Sequence, residues 1–341
     1  MTNSLSRPRL GVTAASLMTL SAEVVARTAV RSAQLGFESF WTAEVTGTEA
    51  FSTLAAIGAR TPGLALGTGV LALQLRTPML AAMGAATLQS HQPEIDVYLG
   101  VGISSPVVVN QWHGAEYGAR PLAQSREYLT LVRECLSGEP VTFDGDFYQC
   151  RNVRLGVRLG DRRPRLVLGA LNARMLALAG ELADGVLLNY LPATAVPWCV
   201  DQVRAAEAAA GRPVGSCGIL AYVHVGVADT AAARPNAQRD LFSYIVVDSY
   251  AKAFRRAGFG DEVDAVRAAH AVRDREAALA AVGTRMVDAI DVVGDADTVT
   301  GAVRAYLDAG VEHAVIMPLP WGDDREAIIG ATLEASRRAL D

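Results

Sequence analysis

The strongest constraint on this chain is a repeated alternation. Short apolar runs recur along it, separated by segments with helical spacing or a helix stop. Strands are expected at 9–14 (RLGVTA), 38–44 (ESFWTAE), 64–73 (LALGTGVLAL) and 95–102 (IDVYLGVG). Four more follow at 163–170 (RPRLVLGA), 184–189 (DGVLLN), 216–228 (SCGILAYVHVGVA) and 313–319 (HAVIMPL). Strands without a polar face must be covered on both sides, so the alternation predicts a parallel sheet flanked by helices. Eight such units in 341 residues fit a closed (β/α)8 TIM barrel, an α/β fold, as a single domain over 1–341. A doubly wound open sheet is the rival. Two stretches break the rhythm: 140–155, whose Asp144–Gly145 step between alternating residues predicts a β-hairpin before strand five, and 230–290, a helical insertion after strand seven.

Helix boundaries carry their own signals. Ser21 is a good N-cap, and Gly36 supplies a stop. Thr77 caps a helix that begins with Pro78. Asn172 opens the helix after strand five, and Asp295 or Asp297 the last one before strand eight.

Composition removes several functions. Hydrophobic residues make up 51% and charged residues 20%, which supports a large core and argues against extensive disorder. A net charge of −5 disfavours nucleic-acid binding, which needs phosphate neutralisation. Of 31 basic residues only Lys252 is a lysine; no phosphate-binding loop surrounds it, and it could form a Schiff base only if its helical segment faced the site. The four cysteines, Cys135, Cys150, Cys199 and Cys217, form no CxxC pair and fit a reducing compartment. With no secretory signal and no membrane span read in the chain, a cytoplasmic protein is expected.

In a barrel the chemistry sits at the carboxyl ends of the strands. Here those ends are glycine-rich and apolar, with scattered Ser, Thr and Asn. The five histidines form no HxH or HExxH pair, so no metal site is expected. His224 lies in an apolar strand and reads as a hydrogen-bonded interior histidine rather than a catalytic one. No GxSxG or GxGxxG is present, which disfavours a serine triad and a dinucleotide site. Glycines let a backbone approach a flat ring, and the helix amides after LGALN could meet an anion. Ordinary turns explain the same glycines.

The ordered blocks LGFESFWTAEVTGTEAFSTLAAIGART, LALGTGVLALQLRTPMLAAMGAATLQS, YLGVGISSPVVVNQWHG, LVLGALNARMLALAGELADGVLLN and VVGDADTVTGAVRAYLDAGVEHAVIMP resemble the bacterial-luciferase-like superfamily. Within it they are most similar to the coenzyme F420-dependent branch that includes methylene-tetrahydromethanopterin reductase. The resemblance implies a barrel holding a deazaflavin, or alternatively FMN, at its mouth. It implies a bulge in strand three, often with a non-prolyl cis peptide, at Gly69, Val70 and Leu71. Gly102, Ile103 and Ser104 after strand four, and Gly169, Ala170, Leu171 and Asn172 after strand five, would meet the cofactor's phosphate-bearing side chain. A homodimer and a small-molecule substrate are also implied.

One departure matters. The sugar-phosphate dehydrogenase branch carries a catalytic histidine after strand two, in a D-H pair, where this chain has Glu44–Val45. Proton-donor candidates are therefore Glu44, otherwise a salt-bridged carboxylate, and His113, otherwise a surface histidine. Trp41 and Trp112 are candidate substrate contacts, with core packing the other reading of Trp41. Three functions stay open: an F420-dependent oxidoreductase, more in the sense of a reductase; an FMN-dependent monooxygenase using O2; and a non-catalytic cofactor-binding protein.

Overall fold

A computed structural model describes residues 7–341. Its strands, in chain order, are β1 (Arg9–Thr13), β2 (Ser39–Thr42), β3 (Ala65–Thr68), β4 (Leu71–Ala72), β5 (Val97–Gly102), β6 (Val141–Asp144), β7 (Gln149–Val153), β8 (Arg165–Gly169), β9 (Gly185–Leu188), β10 (Gly218–Val227), β11 (Asp291–Gly294) and β12 (His313–Pro318). β12, β1, β2, β3, β5, β8, β9 and β10 pair in that order, all parallel, and the β10–β12 pairing closes the ring. The closed (β/α)8 barrel is what the alternation predicts, and the open-sheet rival is excluded because no barrel strand is left with a free edge.

The hairpin forms as expected: β6 and β7 pair antiparallel in a sheet of their own, joined through Asp144–Gly145. The insertion is five helices between Thr230 and Ile290. It ends in β11, a strand the sequence reading omits. β10 is ten residues long, and its last four, His224–Val227, run past its pairing with β9 and pair instead with β11, while His224 and Val225 still pair with β12. In four residues, DVVG, β11 has no period of its own and is defined by its partner.

Caps follow the local chemistry. Ser21 Oγ accepts from the Val24 amide, Thr77 Oγ1 from Leu80 ahead of Pro78, and Asp295 from Thr298. Asn172 holds the N-cap position of the helix Ala173–Leu182, yet its side chain makes no capping bond and is used elsewhere. Gly36 closes the first long helix at φ +81°, where a β-carbon is disfavoured.

Buried side chains divide into three layers. Alternate strand residues, among them Trp41, Tyr98, Val167, Leu187, Tyr222 and Met317, fill the barrel interior. A larger apolar shell lies between strands and helices, and the insertion has its own core around Leu241, Phe254, Val263 and Met286.

The interior is closely packed where strands approach. A β-carbon on Gly100 would overlap the Thr68 carbonyl oxygen, whereas one on Gly301, inside the helix Ala296–Asp308, meets nothing within 4 Å. We expect Gly100→Ala to destabilise the protein by about 1–3 kcal/mol and Gly301→Ala to stabilise it by about 0.5–1 kcal/mol. Denaturant unfolding of the two variants checks both signs.

Candidate active site

A cleft of ≈ 1230 Å³, open to solvent, lies at the carboxyl ends of β3, β5, β8 and β9 and beneath the insertion. Its floor is the break between β3 and β4. The Gly69–Val70 peptide there is cis, as the family resemblance implies. The Gly69 amide donates to the Thr42 carbonyl (2.7 Å), and the Tyr222 hydroxyl donates to the Gly69 carbonyl (2.6 Å). Thr13 in turn donates to Tyr222 (3.2 Å). Thr68 Oγ1 both donates to the Gly100 carbonyl and accepts from the Gly100 amide, each at 2.8 Å.

This arrangement sets Val70 over two glycines. β-Carbons on Gly102 and Gly169 would lie 2.9 and 3.3 Å from the Val70 methyl groups. The result is a low apolar platform built from three strands, with Ile103, Ala170 and Leu171 around it. Its surroundings suit a flat ring, because Gly69, Gly102 and Gly169 carry no side chain to fill the space beside Val70.

The opposite rim is polar. Lys252, the single lysine, faces the cleft from the helix Asp248–Arg256, and Arg174 from the first turn of the helix Ala173–Leu182. Asn172 Nδ2 donates to the Ser249 carbonyl (3.1 Å), while Arg256 donates to Asn172 Oδ1 (3.4 Å) and to the Leu171 carbonyl. The side chain that could cap the helix therefore ties the strand-five loop to the insertion. The helix start is left without a side-chain cap, beside two cations.

Gly69, Val70, Gly102, Ile103 and Gly169–Asn172 all line this cleft. Leu71 instead points into the apolar shell, fully buried, and Ser104 is half-buried outside the lining. Glu44 accepts two bonds from Arg76, at 2.9 and 3.1 Å, and Arg76 also pairs with Glu49. That carboxylate is the salt-bridged one of the two alternatives and does not line the cleft. His113 is exposed, its Nε2 2.6 Å from the Val45 carbonyl. Trp112 is 57% exposed beside it.

Trp41 is placed at the other end of the barrel. It is fully buried, donates from Nε1 to Ser39 Oγ (2.7 Å), and stacks on Tyr98 with centroids 5.0 Å apart. It is the packing residue of the two alternatives, because the alternation of β2 turns it inward rather than upward.

Sequence reading missed the wall formed by Asn189, Tyr222 and Tyr250. Tyr222 was within reach, since it alternates with His224 on one face of strand seven. Behind that wall His224 Nδ1 is 2.9 Å from Asp291 Oδ1, and its Nε2 is 2.8 Å from Asn189 Oδ1. Asp240 is close to both: ligating atoms of His224, Asp240 and Asp291 lie within 4.8 Å of one another. Burial lowers His224 to about 4 and, with Asp291 nearby, raises Asp240 to about 7; Asp291 is raised well above the usual carboxylate range by its own burial.

A closed parallel barrel with a cleft at the carboxyl ends of its strands is the framework of an enzyme. The model of the luciferase-like monooxygenase family matches residues 3–313, and the chain belongs to that family. It is an oxidoreductase by that membership and its relatives. A Mycobacterium tuberculosis protein classed by its name among coenzyme F420-dependent oxidoreductases is 31% identical over 304 residues, covering 82% of this chain and 86% of that one. The 5,10-methylenetetrahydromethanopterin reductase of Methanolobus tindarius is 28% identical over 308 residues, 89% of this chain and 93% of the relative. The structure of the coenzyme F420-dependent tetrahydromethanopterin reductase of Methanopyrus kandleri superposes with a TM-score of 0.80 at 22% identity, covering 98% of both chains. Among the described residues, no helix is long and apolar enough to cross a membrane.

The contrast between Trp41 and the cleft is testable. Trp41→Phe should lower stability by about 1–3 kcal/mol, through the lost Nε1 bond and the packing gap. Cofactor affinity should stay unchanged, as read by thermal unfolding beside a binding titration.

Proposed function

We propose that this enzyme uses coenzyme F420 to transfer a hydride to or from a small organic substrate, working chiefly as a reductase. The observation that carries the reading is the pairing of an apolar glycine platform with a cationic rim in one cleft. Deazaflavin F420 has the matching chemistry, a flat ring on a long, multiply anionic side chain. The residues fit it: Gly69, Val70, Gly102 and Gly169 would support the ring, and Lys252, Arg174 and the uncapped helix start at Ala173 would meet the anionic tail. The name of the Mycobacterium tuberculosis relative supports the same cofactor.

When bound, the deazaflavin supplies a ring carbon that gives or takes a hydride. The chain's own part is to orient and to exclude water. Val70, Ile103 and Leu171 would present apolar atoms to the ring, and a dry, preorganised face would favour close approach of the reacting carbons. Glu44, clamped by Arg76, holds the ends of β2 and the helix Pro78–His91 together rather than moving a proton. His113 is the proton-donor candidate we retain, because it is exposed on the loop that also carries the cleft-lining Tyr117. A homodimer remains part of the proposal, on the family resemblance.

The test is a paired absorbance and fluorescence titration with F420 and with FMN. Micromolar F420 binding with little FMN binding supports the reading. Preference for FMN overturns it in favour of an O2-using monooxygenase, the activity in the family's own name. Binding without turnover across unsaturated and imine substrates would instead favour a non-catalytic carrier. Lys252→Ala should weaken F420 binding roughly two- to fivefold at low salt. The loss should shrink at high salt, where an exposed ammonium is already screened.

A further inference from the structure

The polar wall of the cleft rests on a hydrogen-bond pattern whose proton positions the geometry dictates. The Tyr190 amide lies 3.0 Å from the Asn189 side chain. A backbone N–H can only donate, so the atom facing it is Oδ1 and the amide orientation follows. His224 Nε2 approaches the same oxygen at 2.8 Å and must therefore carry a hydrogen. With Oδ1 engaged twice, the NH2 group of Asn189 is left for the cleft, which Asn189 lines, and for the Tyr250 hydroxyl beside it.

The hydrogen-bond pattern continues inward. His224 Nδ1 meets Asp291 Oδ1 at 2.9 Å, so one proton lies between them. The other oxygen, Asp291 Oδ2, is buried and has no partner. Asp240, half-buried on the helix Thr230–Ile245, already accepts from the Tyr190 hydroxyl at 2.8 Å. Its carboxyl is the neighbour able to supply Asp291 Oδ2 with a donor, provided that it is protonated.

We infer that Asp240 is protonated and donates to Asp291 Oδ2, and that this proton, through Asp291 and His224, holds Asn189 with its NH2 turned into the cleft as a donor to a bound ring. Asp240, Asp291 and His224 are thus positioning residues, and Asn189 is the group that touches the ligand. The inference specifies how the ring is recognised and in that respect rests on the proposed flavin or deazaflavin site; the proton itself does not.

The surroundings favour a proton over a charge. The groups facing the carboxyl pair are Tyr244 on the helix of Asp240, Tyr190 after β9, His224 on β10, Tyr250 on the helix Asp248–Arg256 and Tyr306 on the helix Ala296–Asp308. Among the described residues, no lysine or arginine is ion-paired with either carboxyl. Two carboxylates with no cation beside them cannot both stay ionised at little cost. A divalent ion would neutralise them equally well, but its ligand atoms would surround the metal. Here the His224 and Asp291 atoms meet directly at hydrogen-bond distance.

Linkage fixes the sign. Asp240 titrates at about 7 in the folded protein, above its ordinary 3.8. Stability from the bound proton is complete below the ordinary value and is lost as pH rises toward 7. Asp240→Asn keeps a donor for Asp291 and removes the titration. The wild-type melting temperature should therefore fall between pH 5 and 8, and that of Asp240→Asn should fall less. Affinity for whichever of F420 or FMN binds should weaken several-fold in wild type between pH 6 and 8, and stay level in Asp240→Asn. Asn189→Ala should lose roughly two- to tenfold in affinity at pH 6. Parallel melting profiles for wild type and Asp240→Asn would overturn the proton on Asp240. So would one equivalent of Zn2+ retained through dialysis by wild type and lost in the variant. Unchanged affinity in Asn189→Ala would overturn the role of the amide. If neither ring binds, the cofactor reading fails, and the melting comparison still decides the proton.

Discussion

Between β3 and β4 the ladder to the neighbouring strands is interrupted, and an interrupted strand in a closed sheet leaves amides and carbonyls that must find other partners. Thr42 takes the Gly69 amide, Tyr222 serves the Gly69 carbonyl, and Thr68 secures Gly100 on the facing strand. These bonds come from β2, β3 and β10, so strands from across the ring converge on one peptide. With that backbone held, Val70 can rest on Gly102 and Gly169, and the platform exists. Larger residues at either glycine would push Val70 upward and close the space that a flat ring needs.

The two sides of the cleft have separate origins. The barrel supplies the apolar floor, using glycines and short side chains at strand ends. The insertion supplies most of the polar rim, with Ser249, Tyr250 and Lys252 on or beside one short helix. Asn172 and Arg256 join the two halves through the bonds that bypass helix capping. The insertion is anchored a second time where β10 continues past β9 to pair with β11, the same place where His224 meets Asp291. Ligand recognition and the attachment of the insertion therefore share residues.

Much of the frame could be read from the residues. Eight apolar runs, the hairpin turn at Asp144–Gly145 and the caps at Ser21, Thr77 and Asp295 are local signals with local causes, and each appears in the fold. The lining glycines were also within reach, through the likeness of whole blocks to a known superfamily. What escaped was whatever depends on a distant partner. β11 is a strand because β10 reaches it. Asn172 is a cap by spacing and a tie by contact. Trp41 and Glu44 each had two readings, and the choice depended on Ser39, Tyr98 and Arg76 arriving from elsewhere.

By itself the sequence determined a barrel-forming alternation, the residues able to bend or pack closely, and the scarcity of amines, because periodicity and side-chain chemistry are properties of short stretches. Only the tertiary structure decided which polar groups meet. His224, Asp240 and Asp291 are separated by 16 and 67 residues along the chain from His224, and no local preference relates them. Their proximity arises when the insertion folds back over the barrel mouth, where burial raises the carboxyls and lowers the imidazole together.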